Sequence, residues 1–138
     1  MPAKDIFHDT VKIALNKGGW IITNDPLVIR YGGKDLFIDL GAQRIIAAER
    51  QGVKIAVEIK SFIGASQIND LENALGQYIV YRNILEEIEK DRILYLAISN
   101  KAFKDIFSEP IGHLILSKNK LNLLIFDPRS QEVKQWIS

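Results

Sequence analysis

Lys54-Ile55-Ala56-Val57-Glu58-Ile59-Lys60 is the stretch from which the rest of the chain is read. Ile55, Val57 and Ile59 alternate with Ala56, Glu58 and Lys60, a period of two that predicts a β-strand. Alternation puts Glu58 and Lys60 on the same face of that strand. Upstream, Leu36-Phe37-Ile38-Asp39-Leu40 alternates in the same way, with Leu36, Ile38 and Leu40 against Phe37 and Asp39. If the two strands pair, Asp39 can stand beside Glu58. Two adjacent carboxylates make a hard-oxygen site for Mg²⁺ or Mn²⁺, and a nearby ammonium can orient or deprotonate an attacking water. All three residues are expected on strands, and their chemistry is that of metal-dependent phosphodiester hydrolysis.

A Glu-x-Lys pattern also describes an ordinary solvated sheet face. The flanks decide against that reading. Asp39 closes the strand before the Glu58 strand, and both segments are strongly apolar, as central strands are. Acids and a lysine on central strands cost stability unless they are paired or bind something. Clustered titratable groups in such a setting mark a functional site.

The chain has 138 residues, a length that predicts one domain, 1–138, with a sizeable core. It contains no cysteine, which excludes a disulfide framework and thiolate-ligated zinc or iron–sulfur sites. No apolar run approaches the roughly 20 residues needed to span a bilayer, and the N-terminal segment MPAKDIFHD is too polar for a signal peptide. A cytoplasmic protein without a membrane segment is therefore expected. The net charge of +1 gives no global argument for nucleic acid. DNA binding would have to rest on a local groove, and Lys34, Arg44, Arg50, Lys54 and Lys60 are the basic residues nearest the candidate site in sequence.

Outward from the central stretch, residues 4–17 predict a helix ended by Gly18-Gly19. Trp20–Thr23 reads as a strand, Asn24-Asp25-Pro26 as a turn, and Leu27–Tyr31 as extended or irregular chain. Residues 42–50 have helix-forming composition. Ser66 is a candidate N-cap for the longest helical pattern, 66–90, with Leu71, Leu75, Ile79, Leu85 and Ile88 on its apolar side. Arg92–Ser99 is a nearly continuous apolar run suited to a buried strand. Short helices are expected at 101–107 and 109–118. Leu121–Phe126 and Val133–Ile137 flank a turn at 127–130 and predict an antiparallel hairpin. This order predicts an α/β protein with a mixed β-sheet flanked by helices.

Further polar residues are candidates for the same site. Gln77 and Tyr81, at i and i+4, share a face of the long helix; taken alone they read as a solvated glutamine and a packed tyrosine. His8 and Asp9 on the first helix either reach the site or form an exposed polar face, with Asp5 a weaker candidate. Glu49 is either an auxiliary carboxylate or surface charge. His113 reads as a packed or partner-facing histidine. Gly18-Gly19 and Gly32-Gly33 are turns and do not match a phosphate-binding loop.

The D…E-x-K arrangement followed by Q-x-x-x-Y resembles the PD-(D/E)xK nuclease superfamily, with its restriction-endonuclease-like fold. More narrowly, AKDIFHDTVKIAL, GWIITNDPL, FIDLGAQRIIAAER, KIAVEIKSFIG, ALGQYIVYR and DRILYLAIS together resemble the XisH family of cyanobacterial controlling factors for fdxN element excision. The resemblance implies an endonuclease-like fold and a role in programmed DNA rearrangement. It implies DNA as a partner, an XisI-type companion protein and a site-specific recombinase beside it, and a homodimer that sets two sites on two strands. It further implies Asp39 and Glu58 as metal ligands with the Ile59 carbonyl, Lys60 as the residue that positions or activates water, and Gln77 and Tyr81 in the Q-x-x-x-Y roles. Two departures are visible: Ile38 rather than proline precedes Asp39, and Gln43 stands where a glutamate would be expected. Two function classes follow, a Mg²⁺-dependent DNA endonuclease and a non-catalytic factor that binds DNA or protein. A subunit needed only for assembly is a third.

Overall fold

The computed structural model describes residues 4–44 and 52–138. Its elements are α1 (His8–Lys17), β1 (Ile21–Asn24), β2 (Leu27–Tyr31), β3 (Lys34–Ile38), β4 (Leu40–Arg44), β5 (Val53–Ile59), α2 (Gln67–Ile88) and β6 (Arg92–Ser99). There follow α3 (Asn100–Ala102), which runs into a π-helical segment Phe103–Phe107, then α4 (Pro110–Asn119), β7 (Leu123–Asp127) and β8 (Glu132–Ile137). The architecture is mixed α/β, as predicted. A six-stranded sheet has the order β1-β4-β5-β6-β7-β8, and β2 and β3 form a separate two-stranded ribbon.

The apolar runs fall in the middle of the sheet. β5, β6 and β7 are parallel neighbours, whereas β4 pairs with β5 and β8 with β7 in antiparallel fashion. Parallel strands are covered on both faces, and here helices supply the cover. On one face α2 packs Leu71, Ala74, Tyr78, Tyr81 and Leu85 over Ala56, Leu94, Leu96 and Ile98. On the other, Val11 and Leu15 of α1 pack with Leu40, Ile55, Val57, Ile59 and Ala97. The two sets of β5 side chains thus feed separate cores, as the period of two requires.

The long helix begins where predicted: Ser66 accepts a hydrogen bond from the Asn69 N–H at 3.1 Å. Its buried stripe passes through Tyr78 and Tyr81, and Ile88, expected inside, is exposed. The first helix starts at His8 rather than residue 4, because the Asp5 carboxylate turns back onto the Phe7 N–H at 2.9 Å. Residues 27–31 are regular strand, paired along their whole length with β3.

The helix expected over 42–50 is corrected in its first three residues. Ala42, Gln43 and Arg44 complete β4, opposite Ile55, Lys54 and Val53. Sheet pairing on both sides of Ala42 and its full burial outweigh the weak helical propensity of the segment. The rest of that expected helix, with Glu49 and Arg50, lies outside the described residues. No helix among the described residues is long and apolar enough to cross a membrane.

Candidate active site

Asp39 occupies the bend between β3 and β4, where the chain leaves the ribbon and enters the main sheet. This corrects its expected place within a strand. It also splits the aliphatic set read from periodicity: Leu36 and Ile38 pack on the α2 side, Leu40 on the α1 side. A strand that changes sheets does not keep its facing across the bend. The β4–β5 register pairs Leu40 with Val57, so one step back sets Asp39 opposite Glu58.

The two acids are locked together through the backbone. The Asp39 N–H donates to Glu58 Oε1 at 3.2 Å, and the Ile59 N–H donates to Asp39 Oδ2 at 2.7 Å. Glu58 is only 7% exposed, on the same face as Ala56. Burial pushes its carboxyl up, the Asp39 carboxylate and a side-chain hydrogen bond between the two acids push it further, and the Lys60 ammonium opposes them, leaving Glu58 at about 9. Near neutral pH Glu58 therefore keeps its proton.

Lys60 is the first residue beyond β5, not within it. It continues the strand's line, because its N–H donates to the Ala97 carbonyl at 3.0 Å. The chain then turns sharply. Phe62 is buried with φ of 55°, a left-handed conformation that is strained for a bulky residue. Two carboxylates brace this turn: the Ser61 N–H donates to Asp5 Oδ2 at 3.1 Å, and the Gly64 N–H to Asp70 Oδ2 at 3.0 Å. Asp5, the weaker of the first-helix candidates, is thus the one tied to this corner. Its place just before the helix start is the sequence signal that could have promoted it.

The remaining candidates separate. Tyr81 lies on the buried stripe of α2, and its hydroxyl is pushed up to about 12 by burial and by the nearby Glu58 and Asp39 carboxyls. Gln77, one turn earlier, is exposed. His8 is buried, but its Nε2 meets Asp25 Oδ1 at 2.7 Å, with Lys12 on the other oxygen at 2.8 Å. This three-residue cluster ties α1 to the β1–β2 turn. Asp25 is the partner that sequence reasoning missed, since nothing local links positions 8 and 25. Asp9 and His113 are exposed. Gln43 sits at the far end of β4 from Asp39, opposite Lys54. Lys54 and Arg44 lie at that far end too, and Lys34 opens β3 next to the Gly32-Gly33 turn, so these three basic residues do not gather at the acids as Lys60 does.

Among the described residues no group of three or more His, Cys, Asp or Glu side chains converges. The donor set at the corner is two carboxylates, all oxygen, with a proton where a cation's charge would otherwise sit. Such a set suits a hard divalent ion such as Mg²⁺ or Mn²⁺ rather than a soft metal.

Comparison with known proteins adds a family. Residues 1–134 match the model of the family described as XisH protein. The chain is similar to the crystal structure of an XisH family protein from Nostoc punctiforme, with 41% identity, a TM-score of 0.89, and coverage of 97% of this chain and 100% of that one. It is also similar to an fdxN element excision controlling factor protein from Anabaena variabilis, with 43% identity, a TM-score of 0.87, and coverage of 98% and 100%. No curated protein matches the chain.

Proposed function

This chain belongs to the XisH family, and on that premise we propose that it controls excision of a DNA element through a metal-dependent DNA-cleaving corner. The observation that carries the proposal is the Asp39–Glu58 pair, in which a buried glutamate and a half-buried aspartate are held against each other at the end of a central strand. A purely structural role would favour a carboxylate–cation pair or two apolar side chains, because burying acids together is costly. The D…E-x-K pattern, which resembles that of PD-(D/E)xK nucleases, supports this reading, but such a resemblance alone does not decide function.

Asp39 and Glu58 would hold Mg²⁺ or Mn²⁺, which when bound would polarise the attacking water and offset charge at the scissile phosphate. Glu58 must first give up its proton. Lys60, on the same face as Glu58 and beside it, supplies an ammonium that orients the water and faces the phosphate charge. Tyr81, near both acids, would close the α2 side of the corner, and the exposed Gln77 one turn earlier would contact the DNA. DNA is the expected substrate. A second copy of the chain, an XisI-type companion protein and a site-specific recombinase are the expected protein partners.

The test is cleavage of supercoiled, linear and branched DNA with Mg²⁺ or Mn²⁺ by wild type, Glu58→Ala and Lys60→Ala. Metal-dependent cutting by wild type that both variants lose supports the reading. No cutting by wild type, with a purified companion protein also supplied, refutes it. One observation favours the alternative of a non-catalytic accessory factor binding DNA or protein: the acids already satisfy each other and the Asp39 and Ile59 N–H groups without a cation.

A further inference from the structure

Building on the DNA-cleaving reading, we infer that the sheet edge beyond the acidic corner is a track for the nucleic-acid backbone, with Lys104 and Arg129 holding its phosphates. β5, β6 and β7 are parallel, so their C-terminal ends lie along one edge of the sheet. Lys60 follows β5, Asn100-Lys101 follow β6, and Pro128-Arg129 follow β7.

Two hollows lie along this edge and share Lys101. A small cavity of about 100 Å³ beside the Lys60 turn is lined by Ser61, Phe62, Ser99, Lys101 and Asp105. Lys101 also lines a wider hollow of about 550 Å³, whose other walls are Asn100, Lys104, Asp127, Pro128 and Arg129. Lys101 is paired with Asp105 at 3.0 Å, and Asp127 Oδ1 accepts the Arg129 N–H at 2.8 Å. The acids beside the hollow are therefore engaged locally. Lys104 and Arg129 are exposed and make no salt bridge among the described residues.

Chemistry and spacing select the partner. Exposed cations around an open hollow fit a phosphate backbone, which needs positive charge and access rather than an enclosing pocket. Two strand spacings separate β5 from β7, roughly 10 Å, a span on the scale of neighbouring phosphates of one strand. The neighbouring hollow between the start of α2 and α4 shares Asp105 but adds Glu109 and has no cation in its lining, so it would repel the same ligand. With a net charge of only +1, local cations of this kind must supply the phosphate contacts.

The test measures binding of fluorescein-labelled duplex and single-stranded DNA across a salt series, with cleavage followed in parallel. Compared are wild type, Lys104→Gln/Arg129→Gln, and Lys34→Gln/Lys54→Gln as a control away from the track. The track variant should bind at least about tenfold more weakly and lose about two units of the log K against log salt slope, near 0.9 per phosphate contact. The control should match wild type in both binding and cutting. Equal slopes for wild type and the track variant, or an equal loss in the control, would overturn the track while leaving a cutting wild type intact. Failure of wild type to bind either DNA form would overturn the track together with the DNA-cleaving reading.

Discussion

Replacing Glu58 by glutamine should make the protein increasingly more stable than wild type as pH rises, the reverse of what loss of a buried hydrogen-bonding group usually does. An unfolded glutamate titrates near 4.5, and burial beside Asp39 moves Glu58 to about 9. Between those values the folded state binds a proton that the unfolded chain has released. The stability attached to that proton is fully present below pH 4.5 and is lost as pH climbs towards 9. The loss is about 1.4 kcal/mol per pH unit, or about 3 kcal/mol between pH 5 and pH 7. The glutamine side chain has the same shape, can donate to Asp39 as the protonated acid does, and does not titrate. Urea denaturation of both proteins from pH 5 to pH 9 isolates the effect, since every other titrating group is common to the two. The wild-type curve should fall away from that of Glu58→Gln as pH rises. Millimolar Mg²⁺ should narrow the gap from the wild-type side only. Parallel curves across that range would refute the reasoning, because they would mean that Glu58 ionises normally in the folded protein.

Three further outcomes are expected. Mn²⁺ affinity should rise about tenfold per pH unit below pH 9, with one proton released per ion, which calorimetry in buffers of different ionisation enthalpy would detect. Gly112→Ala would drive a methyl group into the Ile106 carbonyl oxygen and to 2.6 Å from Phe107 Cα, so α4 must shift. A loss of about 3 kcal/mol or more in chemical denaturation is expected, and a change below about 1 kcal/mol would show that the helix yields freely. The Tyr78 hydroxyl donates to the Leu94 carbonyl at 3.3 Å and accepts from the Asn122 N–H at 3.0 Å. Tyr78→Phe should therefore cost about 2 kcal/mol of unfolding free energy, since it strands the Asn122 N–H beside a fully buried ring.

Much of the layout was legible in the amino-acid order. The run Arg92–Ser99 is strand β6 with those same bounds, and Ser66 caps α2, because apolar periodicity and capping are local properties written within a few residues. The pairing of β7 with β8 followed from two strand patterns around a turn. Glu58 and Lys60 were visible as a pair for the same reason, since spacing along one strand assigns a face, whereas Asp39, at a bend, is set opposite Glu58 by the β4–β5 register. The family emerged from motifs that span the chain, and the match over residues 1–134 agrees with it.

Other features depended on segments far apart in the chain. Residues 42–44 look helical alone and become strand because β1 and β5 flank them. Leu40 parts company with Leu36 and Ile38 because the chain changes sheets at Asp39. His8 finds Asp25, and Asp5 finds the Ser61 N–H, through packing that no local spacing encodes. By itself the sequence determined which residues form most of the elements and which face each strand residue takes within one strand, since those follow from backbone geometry of period 2 or 3.6. Only the tertiary structure decided that Asp39 and Glu58 are locked together with Glu58 out of water, because desolvation depends on everything that surrounds a group, and it is this that raises the Glu58 carboxyl so far above its ordinary range.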